Sequence, residues 1–340
     1  MSAPAKAVRT DAELECPRID AGLRAAGVDL VVLPDGVSED VLAQALRDAD
    51  LLLMCYQPVP ARVIDAAPKL KGIVKFGVGI DAIDLDAARR RKIPVVNIPE
   101  YAEETVAEGA FALMIALAKK LVPISREMAK AGWAWPTQQW LGIDLAARTL
   151  GIIGTGKIGR SMARMAQGFR MHIVGYDPNV DAQTMCAAGI EKIDDLIAML
   201  KVCDVVSVHT ALSEKTKHLV GAKELAAMKP HALLINSARG ALVDEAALVS
   251  ALQEKRIGGA GLDVFSQEPL TLRDHPMSAL FEMDHVILFP HLTFYTQEAM
   301  ARLEDETLER CFEILEGRPV LVKSRDPRLR AQAHGVVFGP

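Results

Sequence analysis

Residues 149–160 have the sequence TLGIIGTGKIGR, an apolar run that leads directly into the pattern Gly-x-Gly-x-x-Gly. The run predicts a buried strand, and the segment that follows predicts a helix. Gly154 would allow a tight turn, Gly156 would let the backbone approach a phosphate, and Gly159 would let the helix pack on the strand. The helix N-terminus would offer free N–H groups to a pyrophosphate. We therefore predict a dinucleotide site here, with an ordinary βα turn as the alternative.

The next predicted strand, residues 172–177, ends on an acid, Asp177. A carboxylate at this point can accept hydrogen bonds from an adenosine ribose and would repel a 2′-phosphate. Pro178 and Asn179 follow and supply no arginine for such a phosphate. The sequence therefore predicts NAD as the cofactor and makes NADP less suitable.

The composition is that of an ordinary folded protein. The chain has 340 residues, of which 50% are hydrophobic and 24% are charged, with a net charge of -5. This length is sufficient for two domains. No basic run favours nucleic acid, and no segment reaches the roughly 18 consecutive apolar residues of a membrane span. Residues 1–11 lack the apolar core of a signal peptide, so we expect a cytoplasmic protein without nucleic-acid or membrane partners.

The cysteines are scattered and show no metal-type spacing. The five are Cys16, Cys55, Cys186, Cys203 and Cys311. We expect reduced, mostly buried thiols and no metal site.

Strands and helices alternate along two stretches of the chain, which predicts an α/β fold with parallel sheets. In the first stretch, strands are predicted at 30–33, 51–54, 73–76 and 94–97, and helices at 39–48 (with Ser38 as N-cap), 60–67 and 85–91. In the second, six strands are predicted at 151–153, 173–176, 205–209, 233–236, 261–264 and 286–289. Six strands suit a doubly wound dinucleotide-binding sheet.

Three further segments carry predictions about packing. Residues 105–119 are apolar on nearly every face, which predicts a helix buried all round that links domains or lies in a dimer interface. Residues 132–140 contain all three tryptophans and either cover a neighbouring surface or pack locally. A final helix is predicted at 297–316, and the tail after Pro319 is expected to be loosely ordered or docked on a neighbour.

Three predicted strands of the second stretch end near unusual polar side chains. Arg239 follows one strand, Asp263 and Glu268 follow the next, and His291 comes directly after the last. Each alone could be a surface charge, a turn cap or a structural histidine. Parallel strands, however, present their carboxyl ends at one edge of a sheet. There an arginine can bind a carboxylate and a histidine can donate a proton, which beside a nicotinamide is a complete set for reducing a keto acid.

Several ordered segments carry a resemblance to a known family: KFGVGIDAID at 75–84, and residues 150–159, 236–240, 261–269 and 290–291. Over roughly residues 45–320, the chain resembles the D-isomer-specific 2-hydroxyacid dehydrogenases, which include D-3-phosphoglycerate dehydrogenase and glyoxylate/hydroxypyruvate reductase. The resemblance implies two doubly wound parallel-sheet domains, one flavodoxin-like for the substrate and one Rossmann domain for NAD, with an active-site cleft between them. The implied boundaries are 1–103 plus 294–330, 104–293, and a tail at 331–340. We also expect a homodimer formed through residues 105–120 and the Trp-rich segment.

The resemblance also implies a role for individual residues. His291 matches the general acid/base, Glu268 the carboxylate that keeps this imidazole protonated, and Arg239 the group that binds the substrate carboxylate. The implied cofactor contacts are Gly154, Thr155, Gly156, Lys157, Ile158, Gly159, Asp177, His209, Thr210, Ser237, Ala238, Arg239, Asp263 and His291. The implied substrate contacts are Tyr56, Gly77, Val78, Gly79 and Arg239, with Tyr56 as the candidate specificity residue.

Two departures from the family pattern bear on the substrate. Thr293 stands where the family usually has glycine, which adds bulk beside the expected nicotinamide carboxamide. Residues 55–59 contain no arginine for a phosphate, and the chain ends soon after its last helix, where many phosphoglycerate dehydrogenases continue into a regulatory domain. We therefore expect glyoxylate or hydroxypyruvate as the substrate. D-3-phosphoglycerate dehydrogenase is the alternative, and an NADH-sensing binding protein similar to the C-terminal-binding corepressors is an alternative of another class.

Overall fold

The computed structural model describes residues 4–339 and forms two compact units. The terminal unit comprises the described residues up to Ala102 together with those from Thr296 onward, and the central unit comprises Glu103–Tyr295. Each unit contains a parallel β-sheet with helices packed on it. Within residues 4–339, no helix is both long and apolar enough to cross a bilayer.

The first part of the terminal unit alternates strands and helices. Its elements are β1 Lys6–Arg9, α1 Pro17–Ala25, β2 Asp29–Val32, α2 Glu39–Ala45, β3 Leu51–Met54, α3 Ala61–Asp65, β4 Gly72–Lys75, α4 Leu85–Arg90 and β5 Val95–Asn97. The five strands are parallel in the order β2-β1-β3-β4-β5, which is the flavodoxin-like order. The predicted N-cap of α2 is confirmed, because the Ser38 hydroxyl accepts a hydrogen bond from the Val41 N–H at 3.3 Å.

The sequence prediction missed β1 and α1. Charged residues, Lys6 and Arg9, stand at the two ends of β1, although Ala7 and Val8 between them are fully buried. Arg9 is itself buried, and its guanidinium donates two hydrogen bonds to the Asp20 carboxylate of α1. A buried charge needs such a partner. A prediction based on apolar runs therefore passes over a strand whose end residue is a buried, paired arginine.

The central unit begins with two helices and continues as alternating strands and helices. Its elements are α5 Glu103–Ala118, α6 Leu121–Ala131, β6 Thr149–Ile153, α7 Lys157–Gly168, β7 His172–Tyr176, α8 Ala182–Ala187, β8 Glu191–Lys192, α9 Leu196–Val202, β9 Val205–Val208, α10 Ala222–Ala227, β10 Leu233–Asn236, α11 Glu245–Gln253, β11 Gly259–Leu262 and β12 Val286–Leu288. The parallel order is β12-β11-β10-β9-β6-β7-β8, the doubly wound order with one added strand. The six predicted strands are confirmed to within two residues at each end. The added strand is β12, at one edge of the sheet, and β8 at the other edge was missed by the prediction because it consists of only two residues, both charged.

Helix α5 differs from its prediction on one side. Glu104, Glu108 and Ala112 are exposed and follow one another at four-residue intervals, so burial all round is wrong. The opposite side packs on the sheet, where Gly261 of β11 permits a close approach. A Cβ at Gly261 would lie 3.1 Å from the Cβ of Leu113.

The Trp-rich segment lies on the surface of the central unit. Trp133 is 57% exposed and Trp135 is 73% exposed, and their rings meet edge to face at 6.1 Å. These two side chains therefore pack on each other and not in a core. Coverage of a neighbouring surface stays a prediction.

The chain returns to the terminal unit with α12 Gln297–Leu315, β13 Val320–Val322, α13 Pro327–Arg330 and β14 Val336–Phe338. The prediction of a loosely ordered or neighbour-docked tail is wrong for residues 320–339, because these residues form β13, α13 and β14 of the terminal unit and β14 pairs with β13. In addition, the Gln332 amide donates to the Val95 carbonyl at 2.9 Å and accepts from the Val95 N–H at 2.7 Å. Met1–Ala3 and Pro340, which the predictions for both chain ends included, lie outside the described residues.

Candidate active site

The glycine-rich turn joins β6 to α7, and its glycines have separate functions. Gly154 has a φ of +90°, and a Cβ there would lie 2.7 Å from the backbone nitrogen of Thr210. A Cβ at Gly159 would lie 2.2 Å from the Gly154 carbonyl oxygen. At Gly156, the N-cap of α7, a Cβ would meet open space, and no side chain caps the helix. Two glycines therefore satisfy packing, whereas Gly156 leaves room at uncapped N–H groups, as a bound pyrophosphate requires.

Asp177 follows β7 and holds the glycine-rich turn. Its Oδ2 accepts a hydrogen bond from the Thr155 N–H at 2.9 Å, and its Oδ1 accepts one from the Asn179 N–H at 2.9 Å. Each carboxylate oxygen has lone pairs for a further donor. The position therefore fits a ribose-binding acid that also fixes the turn.

Polar groups at the neighbouring strand ends fit the same cofactor. His209 follows β9, and its Nε2 lies 2.8 Å from the Ser207 hydroxyl. Burial lowers the pKa of His209 to about 4, so its imidazole is neutral near pH 7. Ser237 follows β10, and its buried hydroxyl oxygen has no hydrogen-bond partner among residues 4–339. Because buried hydroxyls are normally paired, this one suits a bound ligand, and the residues at this edge fit a dinucleotide.

His291 and Glu268 form a hydrogen-bonded pair. His291 Nδ1 lies 2.8 Å from Glu268 Oε2, and the other carboxylate oxygen accepts the Phe265 N–H at 2.9 Å. The two side chains are 27% and 31% exposed. Burial by itself would raise the pKa of Glu268, but the hydrogen bond and charge of His291, the Phe265 N–H and the charge of Arg239 hold it below its usual value. The carboxylate is therefore ionised near neutral pH.

Arg239 lies at the end of β10, close enough for its charge to act on Glu268. Its Nη1 donates to the Ala238 carbonyl at 2.6 Å, and its own carbonyl accepts from the Asn236 amide at 2.9 Å. The next residue, Gly240, has no room for a side chain, because a Cβ there would lie 2.0 Å from the carbonyl carbon of Phe265. The structure thus brings the three predicted catalytic residues together at one edge of the central sheet.

Asp263 lies behind this edge and is fully buried at the end of β11. Its carboxylate accepts the Leu292 N–H at 2.8 Å, the Thr293 N–H at 3.2 Å and the Thr293 hydroxyl. Burial raises its pKa, although these hydrogen bonds and nearby His291 oppose the increase. Asp263 therefore anchors the segment that carries His291.

Thr293, the departure from the family pattern, is buried against α5. A Cβ on Gly109 would lie only 2.6 Å from the Cβ of Thr293. The hydroxyl of Thr293 donates to Asp263, as described above. The sequence prediction noticed the added bulk but missed the glycine that accommodates it, because the two residues are far apart in the chain.

The predicted substrate contacts lie in the terminal unit, at the carboxyl ends of β3 and β4. In the turn at residues 77–79, the Gly77 carbonyl accepts the Ile98 N–H at 3.0 Å and the Val78 carbonyl accepts the Asn97 amide at 2.6 Å. The N–H groups of Val78 and Gly79 meet no acceptor among the described residues, and Val78 is 44% exposed. The turn therefore offers donors and hides acceptors, as an anion requires.

Sequence reasoning missed Lys75 as a residue of this region. It ends β4, is 6% exposed, and its ammonium lies 5.5 Å from the centre of the Tyr56 ring. Residues 55–59 indeed contain no cation, but the structure supplies one from the neighbouring strand. The available signal was a lysine within the otherwise apolar run at 73–76.

Comparisons with known proteins agree on one family. Residues 111–293 match the profile of "D-isomer specific 2-hydroxyacid dehydrogenase, NAD binding domain". A glyoxylate reductase of Korarchaeum cryptofilum is 38% identical over 298 residues, which cover 86% of this chain and 88% of that one. A D-3-phosphoglycerate dehydrogenase of Methanocaldococcus jannaschii is 38% identical over 288 residues, covering 84% of this chain but 54% of the relative. The chain thus spans about half the length of that dehydrogenase.

Solved structures lead to the same family. The TT0316 protein of Thermus thermophilus has a TM-score of 0.83 and 33% identity, with 92% of this chain and 97% of that one covered. A D-lactate dehydrogenase of Aquifex aeolicus, solved with NAD and lactic acid, has a TM-score of 0.81 and 30% identity, with coverage of 92% and 96%. The chain therefore belongs to the D-isomer-specific 2-hydroxyacid dehydrogenase family of NAD-dependent oxidoreductases.

Proposed function

We propose that this protein transfers a hydride between NAD(H) and a small D-2-hydroxy acid or its 2-keto acid, with glyoxylate or hydroxypyruvate as the keto substrate. The observation that carries the proposal is the His291–Glu268 pair beside Arg239, at the same sheet edge as the glycine-rich turn. A reductase needs a proton donor and a fixed positive charge at that position.

Each of these residues has one part in the reaction. Glu268 binds Nδ1 of His291, and Nε2 of the same ring donates a proton to the carbonyl oxygen of the keto acid. The ionised Glu268 orients the imidazole and places a negative charge beside it. Arg239 binds the substrate carboxylate and stabilises the charge that develops on the carbonyl oxygen. NADH, when bound, supplies the hydride.

The central unit binds the cofactor in this proposal, and Asp177 selects NAD over NADP because its carboxylate would repel a 2′-phosphate. The other proposed contacts lie at the carboxyl ends of the central strands. They are Gly154, Thr155, Gly156, Lys157, Ile158, Gly159, His209, Thr210, Ser237, Ala238, Arg239, Asp263 and His291. Membership of the family does not by itself decide between NAD and NADP, because a structural relative at 28% identity was solved with NADPH.

The terminal unit binds the substrate in this proposal. The free N–H groups of Val78 and Gly79 supply hydrogen bonds to the substrate carboxylate. Tyr56, which is 39% exposed, contacts the rest of the substrate. A phosphorylated substrate is the competing choice, because the D-3-phosphoglycerate dehydrogenase relative is as similar over the shared residues as the glyoxylate reductase. We favour glyoxylate because residues 55–59 contain no arginine for a phosphate.

We further propose a homodimer formed through α5, α6 and the Trp-rich segment, in the cytoplasm. Leu121, Met128, Trp133 and Trp135 are exposed apolar residues of one continuous segment, which suits an interface. All five cysteines are free thiols, which suits a reducing compartment. Light scattering of the purified protein tests the assembly, and a monomer mass at assay concentration would contradict the dimer.

The activity is tested by following the nicotinamide absorbance band with NADH and a panel of 2-keto acids. We expect turnover of glyoxylate and hydroxypyruvate to exceed that of phosphohydroxypyruvate. Turnover of phosphohydroxypyruvate alone would favour D-3-phosphoglycerate dehydrogenase. Tight NADH binding without turnover of any keto acid would favour the NADH-sensing alternative and overturn the proposed enzymatic activity.

A further inference from the structure

The turn at residues 77–79, called the anion turn from here on, lies directly beside a buried cation. Lys75 is 6% exposed, and a Cβ on Gly77 would lie 2.9 Å from its Nζ. Gly77 has a φ of +150° and no side chain, so the backbone passes close to the ammonium. The charge is thus next to the turn and largely shielded from water.

The partners of Lys75 leave its charge uncompensated at close range. Its ammonium donates to the carbonyl oxygen and to the Sγ of Cys55. Burial raises the pKa of the Cys55 thiol, so the sulfur is neutral and adds no negative charge. Within residues 4–339, no carboxylate lies within 4.0 Å of Lys75 Nζ.

The carboxylate on the adjacent loop, that of Asp11, is hydrogen-bonded to neutral donors and makes no ion pair with Lys75. Asp11 accepts the Cys55 N–H at 2.7 Å, the Gln57 N–H at 3.1 Å and the Thr10 hydroxyl. Its hydrogen bonds hold the loop that carries Tyr56, and the Lys75 ammonium lies over the Tyr56 ring, 5.5 Å from its centre. A buried charge normally has an opposite partner, which suggests that a ligand provides the counter-charge here.

We propose that Lys75 is a specificity-determining residue that attracts the carboxylate of the 2-keto acid to the anion turn. The N–H groups of Val78 and Gly79 form the hydrogen bonds, and the Lys75 ammonium, next to Gly77, supplies positive charge without touching the reacting carbon. Gly77 is required because any side chain there would displace the ammonium. The inference rests on the proposed function in that it takes the ligand to be a 2-keto acid.

The test is the replacement of Lys75 by methionine, which keeps the length and removes the charge. We expect KM to rise about tenfold. The factor should be the same for glyoxylate and hydroxypyruvate, because both substrates carry the carboxylate. The value of kcat and the affinity for NADH should stay within about twofold, because a charge that binds substrate and transition state equally changes KM alone. An unchanged KM, or an increase only for a doubly charged substrate, would overturn the proposal.

Two further variants keep the result interpretable. Lys75→Gln retains a donor for the Cys55 carbonyl without the charge, and it should raise KM as Lys75→Met does even if the methionine variant folds poorly. Lys71→Met makes the same change of net charge at the opposite end of β4, where Lys71 is 52% exposed and paired with Asp50, and it should leave KM unchanged. Equal effects at Lys71 and Lys75 would reduce the proposal to an effect of net charge and overturn it.

Failure of this inference can be told apart from failure of the proposed function. If the unaltered protein turns over no 2-keto acid, the proposed function fails. The anion turn is then tested by calorimetry with oxamate, an unreactive 2-keto acid mimic, in the presence of NADH. Weaker binding to Lys75→Met supports the role of Lys75, whereas equal binding or no binding to either protein overturns it.

Discussion

The edge of the central sheet and the anion turn of the terminal unit both place positive charge at the carboxyl ends of parallel strands, but they do so differently. At the histidine edge (Arg239, Glu268 and His291), His291 and Glu268 are partly exposed and hydrogen-bonded to each other. At the anion turn, the cation is buried, its nearby thiol is neutral, and the hydrogen-bond donors are backbone N–H groups. Proton transfer requires a group that titrates, whereas binding requires charge that stays fixed. In the proposed function, the contrast therefore separates a region for chemistry from a region for recognition.

The sharpest way to break this contrast is to remove the proposed proton donor. His291→Ala should lower kcat by about two to four decades, the span of a general acid. The binding of NADH and of oxamate should change little, because recognition depends on other residues. Stopped-flow or steady-state oxidation of NADH measures the loss.

The matched control is His172→Gln, an exposed histidine at the amino end of β7. It should leave kcat unchanged. Near-normal activity of His291→Ala would remove His291 from the mechanism and leave the histidine edge without a proton donor.

A smaller effect is expected from the partner carboxylate. Glu268→Gln keeps an oxygen near His291 Nδ1 but removes the charge that favours the protonated imidazole, so kcat should fall by about one to two decades. Glu282→Gln, at an exposed glutamate of the same unit, should have no effect on kcat. Equal kcat in Glu268→Gln and the unaltered protein would show that the histidine edge does not depend on this pair.

Glu268→Gln should also change how the stability of the protein depends on pH. The pKa of Glu268 is held below its ordinary value of 4.5, so the group stabilises the folded state above that value. Its contribution is lost as the pH falls through the lowered pKa. The Tm of the unaltered protein should therefore exceed that of Glu268→Gln near pH 7, and the two should converge at acid pH. A Tm difference that grows on acidification would contradict this sign.

A third effect concerns the cofactor end of the central unit. Asp177→Asn keeps an acceptor for the Thr155 N–H but removes the charge that would repel a 2′-phosphate. The ratio of kcat/KM for NADPH to that for NADH should rise about tenfold, with kcat for NADH nearly unchanged. Asp194→Asn, an exposed aspartate paired with Lys192, is the control. An unchanged ratio would mean that Asp177 only holds the glycine-rich turn.

The difference between the two regions also explains what sequence reasoning could find. The histidine edge consists of motifs that each follow a predictable strand, so Arg239, Glu268 and His291 could be placed together from strand order alone. Lys75 could not be assigned a role, because the role proposed for it depends on Gly77 in three dimensions and on the lack of a directly paired carboxylate within residues 4–339. The pairing of Gln332 with Val95 and of Gly109 with Thr293 depends on contacts between distant parts of the chain, which no local pattern indicates.

The smallest expected effect tests the support behind the histidine edge. In a helix interior, alanine is favoured over glycine by about 1 kcal/mol. At Gly109, however, the new Cβ would lie 2.6 Å from the Cβ of Thr293, so Gly109→Ala should lower the free energy of unfolding by about 1–3 kcal/mol. Thr293→Gly also destabilises, because Asp263 loses a hydroxyl donor.

The double variant separates these terms. With Thr293→Gly in place, the overlap with the Thr293 side chain disappears and only a 3.0 Å approach to the Cα of residue 293 remains, so adding Gly109→Ala should cost less than it does in the unaltered protein. Urea denaturation of the four proteins in this cycle measures the coupling between the two positions. Additive losses would show that Thr293 and Gly109 are independent, and that Thr293 is held in place only by its hydrogen bonds to Asp263.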